Sequence, residues 1–177
     1  DITISSEIES FAGQFLQNAS ALTNLTPNVF PKATRVGRYA FGSCEKLEGD
    51  YYFPTATVID DHAFVNTKAI DSITADAVVE LLPNYNFENC AATNISLKSV
   101  MNISYGCFQG AKNLQDLILN SGITNIAGRA FYNCYFTRIT PTKYYKLQNL
   151  DGEIFSGASV YNGSIDFKGS TAITVLK

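Results

Sequence analysis

Val36-Gly-Arg-Tyr-Ala-Phe41-Gly-Ser-Cys44-Glu-Lys-Leu47 decides the fold, because the chain keeps rewriting this phrase. It returns as Ile59-Asp-Asp-His-Ala-Phe64 and as Ile126-Ala-Gly-Arg-Ala-Phe131-Tyr-Asn-Cys134. The anchor Phe41 has counterparts at Leu16, Phe64, Phe87, Phe108, Phe131 and Phe155, at steps of 25, 23, 23, 21, 23 and 24 residues. A period near 23 is the mark of stacked, near-identical supersecondary units, not of one irregular core.

The slots around the anchor carry the physics. Five residues before it lie Phe11, Val36, Ile59, Leu82, Ile103, Ile126 and Leu150. Eight before it lie Ile8, Ala33, Ala56, Val79, Val100, Ile123 and Leu147. All are apolar, so both slots are read as core. Two residues after the anchor come Asn18, Ser43, Asn66, Asn89, Gly110, Asn133 and Gly157, types that tolerate a left-handed turn. The next slot is always small: Ala19, Cys44, Thr67, Cys90, Ala111, Cys134 and Ala158. Three residues further, Leu22, Leu47, Ile70 and Leu114 are apolar, whereas Thr93, Thr137 and Tyr161 break the pattern and predict irregular strands there. Phrases such as Ile70-Asp-Ser-Ile73 and Leu114-Gln-Asp-Leu117 have apolar ends and polar spacers, as a strand with one face inward requires.

These features predict a repeat solenoid: a right-handed coil of about seven repeats of 21–25 residues, with a parallel strand ladder and an internal stack of anchor phenylalanines. At 177 residues the chain makes a single domain. Residues 1–10 are read as the N-terminal cap, 11–160 as repeats and 161–177 as the C-terminal cap, with a last strand over 172–176. The chain opens on Asp1, and its only methionine is Met101. That reads as a mature form or an excised fragment whose signal segment is gone.

The repeated phrase resembles the BspA-type leucine-rich repeat, over about residues 8–160. The resemblance implies a leucine-rich-repeat solenoid found on secreted and surface proteins of host-associated microbes. Some members of that family adhere to host matrix proteins or to other microbes. No catalytic residue is shared by the family.

Composition points the same way. The net charge is −3, and the 13 basic residues form no cluster, so the basic stripe that nucleic acid needs is missing. No apolar run approaches the roughly 20 residues of a membrane-spanning helix. Cys44, Cys90 and Cys134 share one slot in alternate coils, about 9–10 Å apart and beyond disulfide reach. With Cys107 they read as small buried hydrophobes, a Cys90–Cys107 or Cys107–Cys134 bond being the residual alternative. His62, the sole histidine, reads as a surface side chain with no partners for a triad or a metal site. Asp60 and Asp61 are adjacent and should point apart, which excludes a glycosidase pair. No nucleotide, phosphate or calcium motif implies a cofactor, and the chain is read as no enzyme.

The expected function is a non-enzymatic recognition or adhesion module, extracellular or at the cell surface. It would bind a host matrix or surface protein, or a glycan, through the strand-ladder face. Candidate contact residues are the spacers Asp71, Gln115 and Asp116 and the tyrosine pairs Tyr51/Tyr52 and Tyr144/Tyr145, tyrosine being stiff, amphipathic and enriched at binding surfaces. The rival readings are a structural spacer or surface-layer repeat without a ligand, and a carbohydrate-binding accessory protein in which those tyrosines stack on sugar rings.

Overall fold

The computed structural model describes residues 1–81, 84–140 and 146–160. Leu82, Tyr144, Tyr145, Tyr161 and the segment read as the C-terminal cap and final strand lie outside them. The first coils hold β1 (Ile2–Thr3), β2 (Ser10–Phe11), β3 (Leu25–Thr26), β4 (Arg35–Val36) and β5 (Glu48–Tyr52). Then follow β6 (Val58–Ile59), β7 (Ala69–Thr74), β8 (Glu80–Leu81), β9 (Asn94–Leu97) and β10 (Asn102–Ile103). The last are β11 (Leu114–Leu119), β12 (Asn125–Ile126), β13 (Tyr135–Thr140), β14 (Asn149–Leu150) and β15 (Ser159–Val160). All pairings are parallel, each with the next coil, and the described residues contain no helix.

The longer strands make a six-stranded ladder in the order β15-β13-β11-β9-β7-β5. The two-residue strands make a second ladder in two pieces, β2-β4-β6-β8 and β10-β12-β14. Residues 1–10, read as a cap, supply β1, which pairs with β3 as Ile2↔Leu25 and Thr3↔Thr26.

Between the ladders run the anchors. Phe41, Phe64, Phe87, Phe108, Phe131 and Phe155 stack with centroids 5.1–5.5 Å apart and planes within 10°. The expected phenylalanine stack is therefore present. The spacing is set by the strand ladder, since one ring per coil must repeat at close to the strand separation. Near the N-terminus the core widens to hold Phe30 and Phe53, stacked at 5.4 Å, with Phe11 edge-on to both.

The turn around each anchor explains the slot rules. The slot two after the anchor is left-handed throughout, with φ between 51° and 70° from Asn18 to Gly157. So is the slot two before it, in which Gln14, Tyr39, His62, Tyr85, Arg129 and Glu153 have φ of 53–64° beside Gly106 at 60°. These kinks turn alternate N–H groups toward the next coil. Phe41 N donates to Ala63 O (2.9 Å), Tyr39 N to Asp61 O (3.4 Å) and Ser43 N to Val65 O (2.7 Å). The small slot is small because it is enclosed. Cys44, Thr67, Cys90, Ala111 and Cys134 are at most 1% exposed.

All four cysteines are free and buried. Cys44 Sγ donates to Leu16 O (3.1 Å) and Cys134 Sγ to Ala111 O (3.2 Å). Burial pushes the Cys44 thiol up to about 11 and the other three upward as well. They act as small apolar residues with a weak donor.

Three expectations need correction. The strands beyond Cys90 and Cys134 are regular, not degenerate. Each follows its turn one residue sooner, so Ala92 and Phe136 are buried where Thr93 and Thr137 break the pattern, and Phe136 pairs with Leu114. Val79 is not core but 51% exposed, while Val78 is fully buried. Leu81 pairs with Ile59 in this coil, leaving one more residue before the anchor Phe87 than elsewhere.

Asn86 packs into that longer stretch between short strand and anchor. Elsewhere a backbone N–H of each coil donates to the short strand of the coil before, as Asp60 N does to Val36 O (2.9 Å). In this coil the fully buried Asn86 brings a side-chain amide to the preceding short strand, donating to Ile59 O (3.2 Å) and Asp60 O (2.9 Å) and accepting from Ser104 Oγ (2.8 Å).

The third correction concerns Tyr51, expected at a binding surface. It is 2% exposed and pairs with Ile73, in the inward row continued by Ile95, Leu117 and Ile139. Its hydroxyl donates to Glu48 O (3.0 Å), and burial pushes its pKa up to about 12.

Candidate functional site

Side chains alternate across a strand, so each inward Ile or Leu of the six-stranded ladder is flanked by outward residues. Register aligns them into rows. One runs Asp50, Ser72, Asn94, Asp116, Arg138, and beside it run Tyr52, Thr74 and Ser96. Many of these polar groups satisfy one another. Ser72 Oγ donates to Asp50 Oδ1, and Thr93 Oγ1 to Asp71 O (3.0 Å). Arg138 Nε donates to Asp116 Oδ1 (2.6 Å).

Of the residues singled out in the sequence, four lie on this face. Tyr52 is 43% exposed on β5. Asp71 is exposed on β7 and accepts from Gly49 N through Oδ2 (3.1 Å). Gln115 and Asp116 are neighbours on β11 and line one small recess with Thr137 and Arg138. Tyr52 stands three strands from Gln115, about 14 Å away, so these residues share a face and not a pocket.

A groove of about 540 Å³ lies on this face over β11, β13 and β15. Thr93, Lys112, Asn113, Gln115, Tyr135, Thr137 and Ser159 line it, over a floor of buried Leu114 and Phe136. Lys112 and Arg138 carried no sequence signal that set them apart. Their places follow from register, which needed the one-residue shortening before β13.

The turn side carries a second feature that the sequence did not reveal. His62 is not a simple surface residue. It lies between Tyr39 (4.7 Å, 26° between planes) and Tyr85 (5.3 Å), and Tyr105 continues the row at 5.7 Å. Asp61 Oδ2 holds both His62 Nδ1 (3.2 Å) and Arg38 Nε (3.0 Å), and the Arg38 guanidinium lies over the Tyr39 ring at 5.2 Å. Asp60 points the other way, into a bidentate pair with Arg35 at 2.6 and 2.7 Å. The two carboxylates thus diverge as expected. Glu88 sits near this row, and partial burial raises its pKa even though Gln109 Nε2 donates to it (3.0 Å). The contacts pass from stacked at Tyr39–His62 to edge-on at Tyr85–Tyr105, so the row reads as a brace along the turns.

Neither face, among the described residues, brings an acid, a base and a nucleophile together in an enclosed recess. Among the described residues, no group of three or more His, Cys, Asp or Glu could hold a metal ion. Nor do the described residues hold a helix long and apolar enough to cross a membrane.

A parallel-strand coil repeated every 23 residues or so, offering solvent its outer faces, defines the protein as a β-solenoid repeat protein. The family model for the BspA-type leucine-rich repeat region matches residues 1–61 and 34–162, with 6 copies. The chain belongs to that family, a non-enzymatic one whose members are typically surface-associated. No curated protein and no solved structure matches the chain.

Proposed function

We propose that the protein is a secreted or cell-surface recognition module that adheres to a host or microbial protein or glycan through its six-stranded ladder face. The observation that carries this reading is the registered outer rows of β5 to β13. A rigid backbone holds hydroxyls, amides and charges at one strand spacing, between exposed Tyr52 and Tyr135. Pre-organised groups lose little conformational freedom on binding, so many modest contacts can add up, and several copies gain avidity.

The test is a panel of matrix proteins, mucins and glycans probed with bead-displayed protein. A saturable hit competed by soluble protein is expected. Against a protein hit, the double variant Asp71→Asn, Asp116→Asn should weaken binding while its unfolding midpoint stays within the range of a surface change. Full binding by the folded double variant would move the contact to another face.

A further inference from the structure

Across most of the ladder face, polar side chains are engaged with one another. The groove over β11 and β13 differs, because the side-chain polar atoms of Lys112, Asn113, Gln115, Tyr135 and Thr137 make no hydrogen bond to another described side chain or backbone group. Seven ion pairs form among the described residues and none includes Lys112. The groove lining thus holds one cation and no carboxylate, on a chain whose net charge is −3. Of the carboxylates beside it on the face, Asp116 is paired with Arg138 and Asp71 accepts from Gly49 N. Tyr135 is 44% exposed and is in ring contact with no described residue.

Protein hot spots need an apolar anchor and a desolvated pocket. Here the apolar side chains of the floor, Leu114 and Phe136, are 1% and 2% exposed, and the walls are hydroxyl and amide. One open aromatic ring beside unspent donors and acceptors is instead the chemistry that meets a sugar: the ring takes a C–H face, and the amides and hydroxyls take the hydroxyls. The groove runs across strands, so it offers similar groups at successive strand spacings, which suits an extended chain of repeating units.

We propose that this groove binds a linear polysaccharide bearing uronic-acid carboxylates. Tyr135 stacks on one sugar ring, Lys112 pairs with a carboxylate, and Gln115 and Thr137 bond the sugar hydroxyls. The proposal rests on the ladder-face reading and narrows it to one ligand class.

The experiment titrates the ¹⁵N-labelled full chain with oligogalacturonates of increasing length, and with neutral cello-oligosaccharides as the comparison. Saturable amide shifts confined to β9, β11 and β13 are expected with the uronates, weakening as salt is raised. Tyr135→Ala should weaken binding about tenfold. Lys112→Gln should weaken it about threefold and remove most of the salt dependence. Lys112 is exposed, so that variant remains informative should Tyr135→Ala fail to fold. The proposal is overturned by an absence of saturable shifts, by shifts on the turn side around Tyr39 to Tyr105, or by equal binding of the neutral oligomers. A blank with uronates beside a protein hit lost in the Asp71/Asp116 variant removes the polysaccharide and leaves the ladder face standing. Blanks in both remove both.

Discussion

Truncating the middle of the ring stack tests the energetic logic of the fold most directly. Phe108 is fully buried and stacked on Phe87 at 5.3 Å and on Phe131 at 5.4 Å, with interplanar angles of 5° and 6°. Phe108→Ala removes the transfer energy of a buried ring and leaves a cavity bounded by two rings that the coil spacing holds apart. Such changes cost about 3–5 kcal/mol. The upper half of that range is expected, because two ring contacts are lost and the hydrogen-bonded ladders resist collapse. Phe108→Leu refills part of the volume and should cost about 1–2 kcal/mol. Leu16→Ala, in the first coil, where the side chain is 9% exposed, should cost about 2–3 kcal/mol. The assay is urea unfolding followed by circular dichroism, with the slope checked for two-state behaviour. Against a total stability of about 5–15 kcal/mol, the Phe108→Ala midpoint should fall far enough to measure easily. A cost below about 1 kcal/mol, or one no larger than that of Leu16→Ala, would refute the stack as the stabilising spine.

Other predictions concern the turns, the thiols and the titrating groups. Gly110→Ala should destabilise by about 1–2 kcal/mol, since φ is +70° and a methyl would collide with Asn89 Oδ1; an unchanged melting temperature would contradict this. Native protein should resist a thiol reagent at all four cysteines and react at all four in denaturant, because the thiols are buried with raised pKa values; labelling of any one in the native state would count against their enclosure. Glu88 has its pKa raised above 4.5 by burial, so its ionisation opposes folding, and stability linked to its proton is lost as pH rises through the folded value. Glu88→Gln should therefore stabilise at pH 7 more than at pH 4, as read from urea midpoints, and the reverse ordering would sink the argument. Tyr51→Phe should cost about 1 kcal/mol through its lost bond to Glu48 O and leave ligand retention unchanged, whereas a drop in retention with the fold intact would return Tyr51 to the binding face.

The coil, the ring stack, the left-handed turns and the buried thiols were legible because each recurs, and recurrence separates a structural demand from chance. What was hidden lay where the count slips by a residue. A strand that starts one position early exchanges Thr137 for Phe136, and an extra residue before Phe87 exchanges Val79 for Val78. A fixed spacing rule cannot see either change, yet register with the neighbouring strand imposes both. Tyr51 misled for a related reason. Its row is filled elsewhere by Ile or Leu, and a tyrosine enters only because Glu48 O receives its hydroxyl. That Asp71, Gln115 and Asp116 project outward from one ladder was legible from their place between apolar strand residues. The groove depended on which polar groups are already spent, and that is a property of contacts and not of composition.

The ladder bonds also define how the protein would carry load. They run from coil to coil along the solenoid, as in Phe41 N to Ala63 O and Asp60 N to Val36 O. Tension applied between the two ends therefore opens them one coil at a time, as a zipper opens, and does not shear a whole sheet at once. Each released coil of some 23 residues would pay out about 75–80 Å of slack while the coils beyond it stay folded. A chain pulled at its ends would thus lengthen in even steps and absorb work at each one.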